Sequence, residues 1–229
     1  MTIHLKDVTK RFKKNRGIEH ISFTLEEGQI VALVGANGAG KSTIIKLLTN
    51  QLTSDSGVVE GVVDESLRYM PDDLTFPDTL TANEILALLG QLKGVKKDSR
   101  FTILKKVGLQ EAGHLKVSQY SKGMRQRLNL AQSLLGEGQF YILDEPTNGL
   151  DPFWIATLKQ ILIEEKKKKH IVLFSTHLLT LAEEIADHVI IIHEGKVLEQ
   201  GAIGALLAKY QCNKLEQLWL QLTQKEHYQ

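Results

Sequence analysis

The 229-residue sequence predicts an α/β fold with a parallel strand core, an N-terminal antiparallel β subdomain and an inserted helical lobe. Three observations predict it. A short apolar run at 29–34 leads into the glycine-rich segment 35–43 (GANGAGKST), and this leads into an apolar stretch at 44–51 that opens a helix. Apolar, β-branched runs return at 139–143, 170–175 and 188–193, separated by helical stretches, the order that builds a parallel sheet. From about 81 to 135 the apolar spacing is helical throughout, which sets a lobe of about 78–135 into the core.

Taken in order, residues 3–33 hold three strand-like segments around a turn. Ile21, Phe23 and Leu25 alternate with Ser22, Thr24 and Glu26, the period of a half-exposed strand. The segment 35–43 completes the pattern Gly-x-x-x-x-Gly-Lys-Ser/Thr in the strand–loop–helix setting that gives the pattern meaning. Its residues Gly35, Ala36, Asn37, Gly38, Ala39 and Gly40 let the backbone turn tightly and point N–H groups at phosphates. The helix start adds unpaired donors and the positive end of its dipole. Lys41 can reach the β- and γ-phosphates of a nucleoside triphosphate, Ser42 can offer its hydroxyl to Mg²⁺, and Thr43 can touch the α-phosphate. A Ser-Asp-Ser-Gly turn at 54–57 precedes two short strands near 57–62 and 66–70. In the helical lobe Ile85, Leu88, Leu89 and Leu92 are expected on one buried face, as are Ile103, Leu104, Val107 and Leu109.

Composition narrows the function classes. Lys plus Arg number 28 against 27 for Asp plus Glu, so no global basic field for nucleic acid exists. The lysine run 166–169 reads as a solvated helix end that complements the dipole. The single Cys212 cannot form an internal disulfide, which suits a reducing compartment, and reads as a small surface or packing residue. The opening residues lack the apolar stretch of a signal peptide, and no apolar run approaches the roughly 20 residues that span a bilayer. A soluble, cytoplasmic protein is expected, acting at a membrane only through a partner.

The run 140–146 (FYILDEP) places two adjacent carboxylates at the carboxyl end of an apolar strand, where open α/β sheets bind ligands. Asp144 can hold Mg²⁺, completing with Ser42 and the phosphates an octahedral set. Strand alternation sends Glu145 to the opposite side, where it can polarise a water for in-line attack on the γ-phosphate, work typically contributing about 10²–10⁴-fold.

With these residues in place, the chain resembles the ATP-binding subunit of the ABC transporter family over nearly its whole length. Residues 120–127 (YSKGMRQR) are similar to the family signature. The resemblance implies that Ser121 and Gly123 grip the γ-phosphate of ATP bound to an opposite subunit, so that two chains, identical or related, sandwich two nucleotides. Without the resemblance Ser121 is an ordinary helix cap. Residues 148–151 (NGLD) resemble the D-loop, in which Asp151 links the two sites across the dimer. Residues 174–177 (FSTH) resemble the switch region, with His177 reaching the γ-phosphate; the other histidines read as structural. Phe12 sits where the family stacks an aromatic ring on adenine, though a Phe in an amphipathic strand is otherwise a core residue. The basic residues Lys10, Arg11, Lys13 and Lys14 either draw in phosphates or line an exposed strand edge.

The family pattern is not kept everywhere. Tyr120, Lys122 and Met124 replace three of the five residues of the usual Leu-Ser-Gly-Gly-Gln. Asp72 stands where the family usually has Gln at the hinge between core and lobe, touching Mg²⁺ or the attacking water. It keeps an oxygen donor and adds a negative charge near the metal. The resemblance implies ATP and Mg²⁺ as cofactors, a separately encoded transmembrane permease as partner, and a place on the inner face of the cell membrane. The stretch 213–223 is similar to the short tail of exporter subunits, and its spacing (Leu215, Leu218, Trp219, Leu222) equally suits an amphipathic helix over the core; the tail spans about 202–229. Two alternatives stand beside transport: a soluble ABC-type ATPase that moves no solute, and a nucleotide-sensing module that regulates a partner.

Overall fold

The computed structural model describes residues 1–13 and 16–227, so Lys14 of the basic cluster and residues 228–229 of the tail lie outside them. Strands β1 (Thr2–Phe12) and β2 (Arg16–Glu26) form an antiparallel pair in which Leu5 faces Phe23 and Phe12 faces Arg16. A third antiparallel strand, β4 (Ser56–Glu60), joins the other edge of β1. The six-stranded second sheet has the order β5 (Leu67–Met70), β6 (Phe140–Leu143), β7 (Ile171–Thr176), β3 (Ile30–Val34), β8 (His188–His193), β9 (Lys196–Ala202). Its first five strands pair in parallel, and β9 closes the edge in antiparallel sense against β8.

Strands β3, β6 and β7 are buried along their whole length because both faces of the sheet are covered. Successive residues alternate between two cores. Ala32, Tyr141, Leu143, Val172 and Phe174 face one built mainly from helices. Leu33, Phe140, Ile142, Ile171 and Leu173 face one formed with the β1–β2 subdomain and helix α1 (Lys41–Leu48). Each such aliphatic side chain contributes about 1.5–3 kcal/mol by leaving water.

The helical lobe comprises α2 (Ala82–Leu92), α3 (Lys97–Lys106) and α4 (Lys122–Ser133). A reciprocal pair of bonds between Thr81 and Glu84 starts α2, each satisfying a backbone N–H at the helix entry. The buried face of α2 differs from the expected one. Ala82, Ile85 and Leu86 are buried and Leu89 is partly so, whereas Leu88 and Leu92 are 55% and 77% exposed. Leu86 lies one residue from Ile85 and shares the inward stripe, leaving Leu88 and Leu92 one turn apart on the outer side. In the later set Leu104, Val107 and Leu109 are buried and Ile103 packs against them.

Beyond β6 come α5 (Pro152–Lys167), α6 (Leu179–Ile185), α7 (Ile203–Lys209) and α8 (Leu215–His227). The C-terminal end of α5 is tied to the sheet by Glu165, only 3% exposed, which accepts from Tyr141 (2.7 Å) and Lys168 (2.8 Å) and lies 3.0 Å from His170 Nδ1. In the lysine run, Lys166 pairs with Asp187 and Lys168 with Glu165. Helix α8 packs on α6, burying Leu215, Leu218 and Leu222, and the Leu215 N–H donates to Glu183 (3.0 Å). Cys212 is buried beside it. No helix among the described residues is long and apolar enough to cross a membrane.

Candidate functional site

Adjacent parallel strands release their carboxyl ends at one edge of the sheet, so the loops after β3, β5, β6 and β7 converge there. The loop after β3 opens α1 at Gly40, whose φ of 113° is one that L side chains rarely adopt. No side chain caps α1 and no acidic residue occupies its first turn. Its N–H donors and dipole therefore remain available to an anion.

These loops surround a cavity of about 290 Å³, lined by Phe12, Arg16, loop residues 36–38 and 40–43, Asp72, Asp144 and Glu145. The structure thus brings together most of the residues singled out by sequence. Gly35 and Ala39 lie behind the lining, Ala39 buried with its carbonyl accepting from Gly195 N (2.9 Å). Phe12, 43% exposed, forms an aromatic wall beside the β1–β2 hairpin. Lys10 and Arg11 are engaged by Asp55 (2.7 Å) and Glu19 (3.0 Å).

Lys41, 6% exposed, donates to the Gly35 carbonyl (2.8 Å) and lies 3.2 Å from Glu145 Oε1. Glu145 does not turn away from Asp144 as strand alternation predicts. Its backbone takes φ 44°, breaking the alternation at the strand end, so both carboxylates line one cavity. Its Oε2 meets Nδ1 of His177 at 2.9 Å, while its buried Oε1 faces the Lys41 ammonium. Non-glycine residues in this backbone region carry strain of about 1–3 kcal/mol, a feature that concentrates at functional sites.

Asp144 accepts from Ser175 Oγ (2.5 Å), and the same hydroxyl accepts from the Glu145 N–H (2.8 Å). Burial raises the Asp144 carboxyl above its ordinary range; the Ser175 bond opposes this, and the nearby Asp72 and Glu145 charges add to the rise. A cation would relieve that electrostatic load, and the oxygen donors Ser42, Asp72 and Asp144 on one cavity fit Mg²⁺. Among the described residues no three His, Cys, Asp or Glu side chains form a self-sufficient metal cage. Mg²⁺ commonly takes only one or two carboxylates and completes its shell with phosphate and water. Asp72 is steadied by Asn148, whose Nδ2 donates to Oδ1 at 2.7 Å.

His177 is outside the 290 Å³ cavity lining but within reach of Glu145. It also borders a small apolar cavity with Gly35, Ala36, Leu179 and Trp219 of the tail. Ser121, Gly123 and Asp151 are not brought to the nucleotide cavity. Ser121 caps α4 by accepting from Met124 N (3.2 Å), and Asp151 caps α5 by accepting from Trp154 N (3.0 Å).

Sequence reasoning gave no individual role to Arg16, Ser175, Asn148 or Gln126, although the last three lie in the marked segments 174–177, 148–151 and 120–127. The buried Gln126 amide lies 3.4 Å and 3.3 Å from the Glu145 and Pro146 carbonyls. Of these only Ser175 carried a signal, as a hydroxyl in an otherwise apolar strand run. The others depend on segments distant in the chain, strand β2, helix α4 and the loop after β6, folding together.

The model of the family described as ABC transporter matches residues 18–148. The chain is 36% identical over 220 residues to the uncharacterized ABC transporter ATP-binding protein YxlF of Bacillus subtilis (strain 168), covering 92% of this chain and 74% of that protein. It is 36% identical over 210 residues to the bacitracin transport ATP-binding protein BcrA of Bacillus licheniformis, covering 86% and 69%. A solved structure of the ATP binding subunit of an ABC transporter superposes with a TM-score of 0.89 at 28% identity, covering 97% of this chain and all of that one. The phosphate loop, the paired carboxylates and these likenesses agree: the chain belongs to the ABC transporter family, as an ATP-binding and ATP-hydrolysing subunit.

Proposed function

We propose that this subunit powers export through a separate transmembrane permease, acting on the cytoplasmic face of the membrane as one of two ATPase subunits in a closed pair. The chain is read as one ATPase domain over 1–229, with the helical lobe at about 78–135 and the tail at about 202–229. The observation that carries the catalytic part is Glu145 held between Lys41 and His177. Glu145 accepts the proton of a water that attacks the γ-phosphorus, while the bond to the β–γ bridging oxygen breaks and leaves ADP and phosphate. Lys41 and the α1 N-terminus hold the phosphates, with His177 facing the γ-phosphoryl oxygens. Ser42 and Asp144, with Asp72 beside them, would hold Mg²⁺, which offsets the charge building on the phosphoryl oxygens. Phe12 supplies a flat surface for the base. Ser121, Gly123 and Asp151 act across the pair on the partner's nucleotide, which agrees with their absence from the chain's own cavity lining.

Transport is supported by likeness to a bacitracin transport ATP-binding protein, and the export direction by the resemblance of the stretch 213–223 to the tail of exporter subunits. The test is affinity isolation of the chain from gently solubilised membranes. A multi-span membrane protein recovered at fixed stoichiometry is expected. Recovery of the chain alone, or with ribosomes or DNA, overturns the transport reading.

A further inference from the structure

Two contacts on one face of α4 join the signature segment to the D-loop of the same chain. At the first, a Cβ on Gly123 would lie 2.9 Å from the Gly149 carbonyl oxygen, so the two backbones touch with no room for a side chain. The second lies one turn on, where Arg127 points the same way as Gly123. Its guanidinium stacks over the Trp154 ring at 4.0 Å and its Nη1 donates to the carbonyls of Val107 (3.2 Å) and Gly108 (3.0 Å). Those carbonyls end α3, so one planar cation caps α3, belongs to α4 and lies on the first turn of α5. The fit around the indole is tight. Gly108 has φ 62°, and a Cβ there would fall 1.9 Å from Trp154 Cη2. Trp154 in turn donates its backbone N–H to the side chain of Asp151, the last D-loop residue.

We infer that Arg127 and Trp154 are positioning residues that hold the signature segment 121–123 and the D-loop 148–151 as one rigid edge, so that ATP closes the subunit pair with both elements in register. A single contact would leave α4 free to pivot against α5. Two contacts one turn apart remove that freedom, and a guanidinium on an indole keeps its attraction while the helical lobe shifts slightly. Neither Arg127 nor Trp154 lines the nucleotide cavity, so the chain's own grip on ATP should not depend on them.

This inference rests on the closed pair proposed above. The test uses a full-length Glu145→Gln chain, which should bind ATP without turning it over and so accumulate the pair. Added to it, Trp154→Ala or Arg127→Ala should leave binding of a fluorescent ATP analogue within about twofold, while the pair's dissociation constant, read by light scattering, rises at least about tenfold. Trp154→Phe, which keeps an aromatic face, should restore most of the loss. If Trp154→Ala unfolds, Arg127→Lys, which keeps charge but loses the planar fork, gives the same readout. Pairing that is unchanged, or that falls only in step with ATP binding and melting temperature, overturns the positioning role. A Glu145→Gln chain with Arg127 and Trp154 intact that never pairs with ATP overturns the closed-pair reading itself, and this inference with it.

Discussion

The Lys41 ammonium lies 3.2 Å from Glu145 Oε1, with both residues less than a tenth exposed. A γ-phosphate that binds Lys41 competes with this carboxylate for the same cation. Removing one partner of a buried ion pair is felt strongly, because the other charge is left without its counter-ion.

Glu145→Gln should therefore lower steady-state ATP hydrolysis by at least about 10²-fold while ATP affinity rises several-fold. Lys41→Ala, which removes the phosphate partner itself, should abolish measurable binding. Isothermal titration with ATP and a phosphate-release assay distinguish the two. A Glu145→Gln chain that hydrolyses ATP normally would contradict its role as base.

Asp72, held 2.7 Å from Asn148 Nδ2, sets the second prediction. Asp72→Asn keeps an oxygen for that bond and removes the charge. The Mg²⁺ concentration giving half-maximal nucleotide binding should rise several-fold, because one fewer carboxylate faces the metal position. Asn148→Ala, which frees the Asp72 side chain, should shift it less. A Mg²⁺ titration followed by nucleotide fluorescence reads both.

Glu165 governs an acid response away from the site. Burial would raise its pKa, but bonds from Lys168, Tyr141 and His170 outweigh it and hold the carboxyl at about 2, below its ordinary 4.5. A depressed folded-state pKa gives stability that is present above about 4.5 and lost as pH falls toward 2. Glu165→Gln should cost a few kcal/mol at neutral pH, and the gap from the parent chain should narrow as the pH is lowered through that window. Urea unfolding at a series of pH values checks it.

The tail gives a paired stability test. Leu218 is fully buried and Leu220 is 44% exposed on the same helix. Leu218→Ala should cost about 2–5 kcal/mol. Leu220→Ala should stay within about 0.5 kcal/mol. Equal effects in thermal or chemical unfolding would show that α8 does not cover the core as described.

The parts legible in the sequence are those whose signal is local. The phosphate loop is nine consecutive residues between a strand and a helix, and the carboxylates end a four-residue strand. Ser121 and Asp151 carry cap chemistry at their own helix starts. Strand β9 (KVLEQGA) was invisible because it is an edge strand with little apolar content, defined by pairing with β8 rather than by its own pattern. The facing of α2 was misjudged because four leucines and an isoleucine within eight residues fit more than one stripe, and only the neighbouring helices choose between them. The convergence of Glu145 with Lys41 and His177 spans over a hundred residues and hinges on one backbone angle at Glu145, which no spacing announces.

The chain has two tryptophans, and the fold has put them at different stations. Trp154 is sandwiched at the joint of the helical lobe, and Trp219 borders the small cavity shared with His177 and the phosphate loop. Indole emission responds to the charges and solvent around it, so the molecule carries two optical gauges without any dye. Excited in a Trp219→Phe chain, the first reports motion of the lobe; in a Trp154→Phe chain, the second reports events at the γ-phosphate end. Their relative timing after rapid mixing with ATP would give the order in which the two halves of the subunit respond.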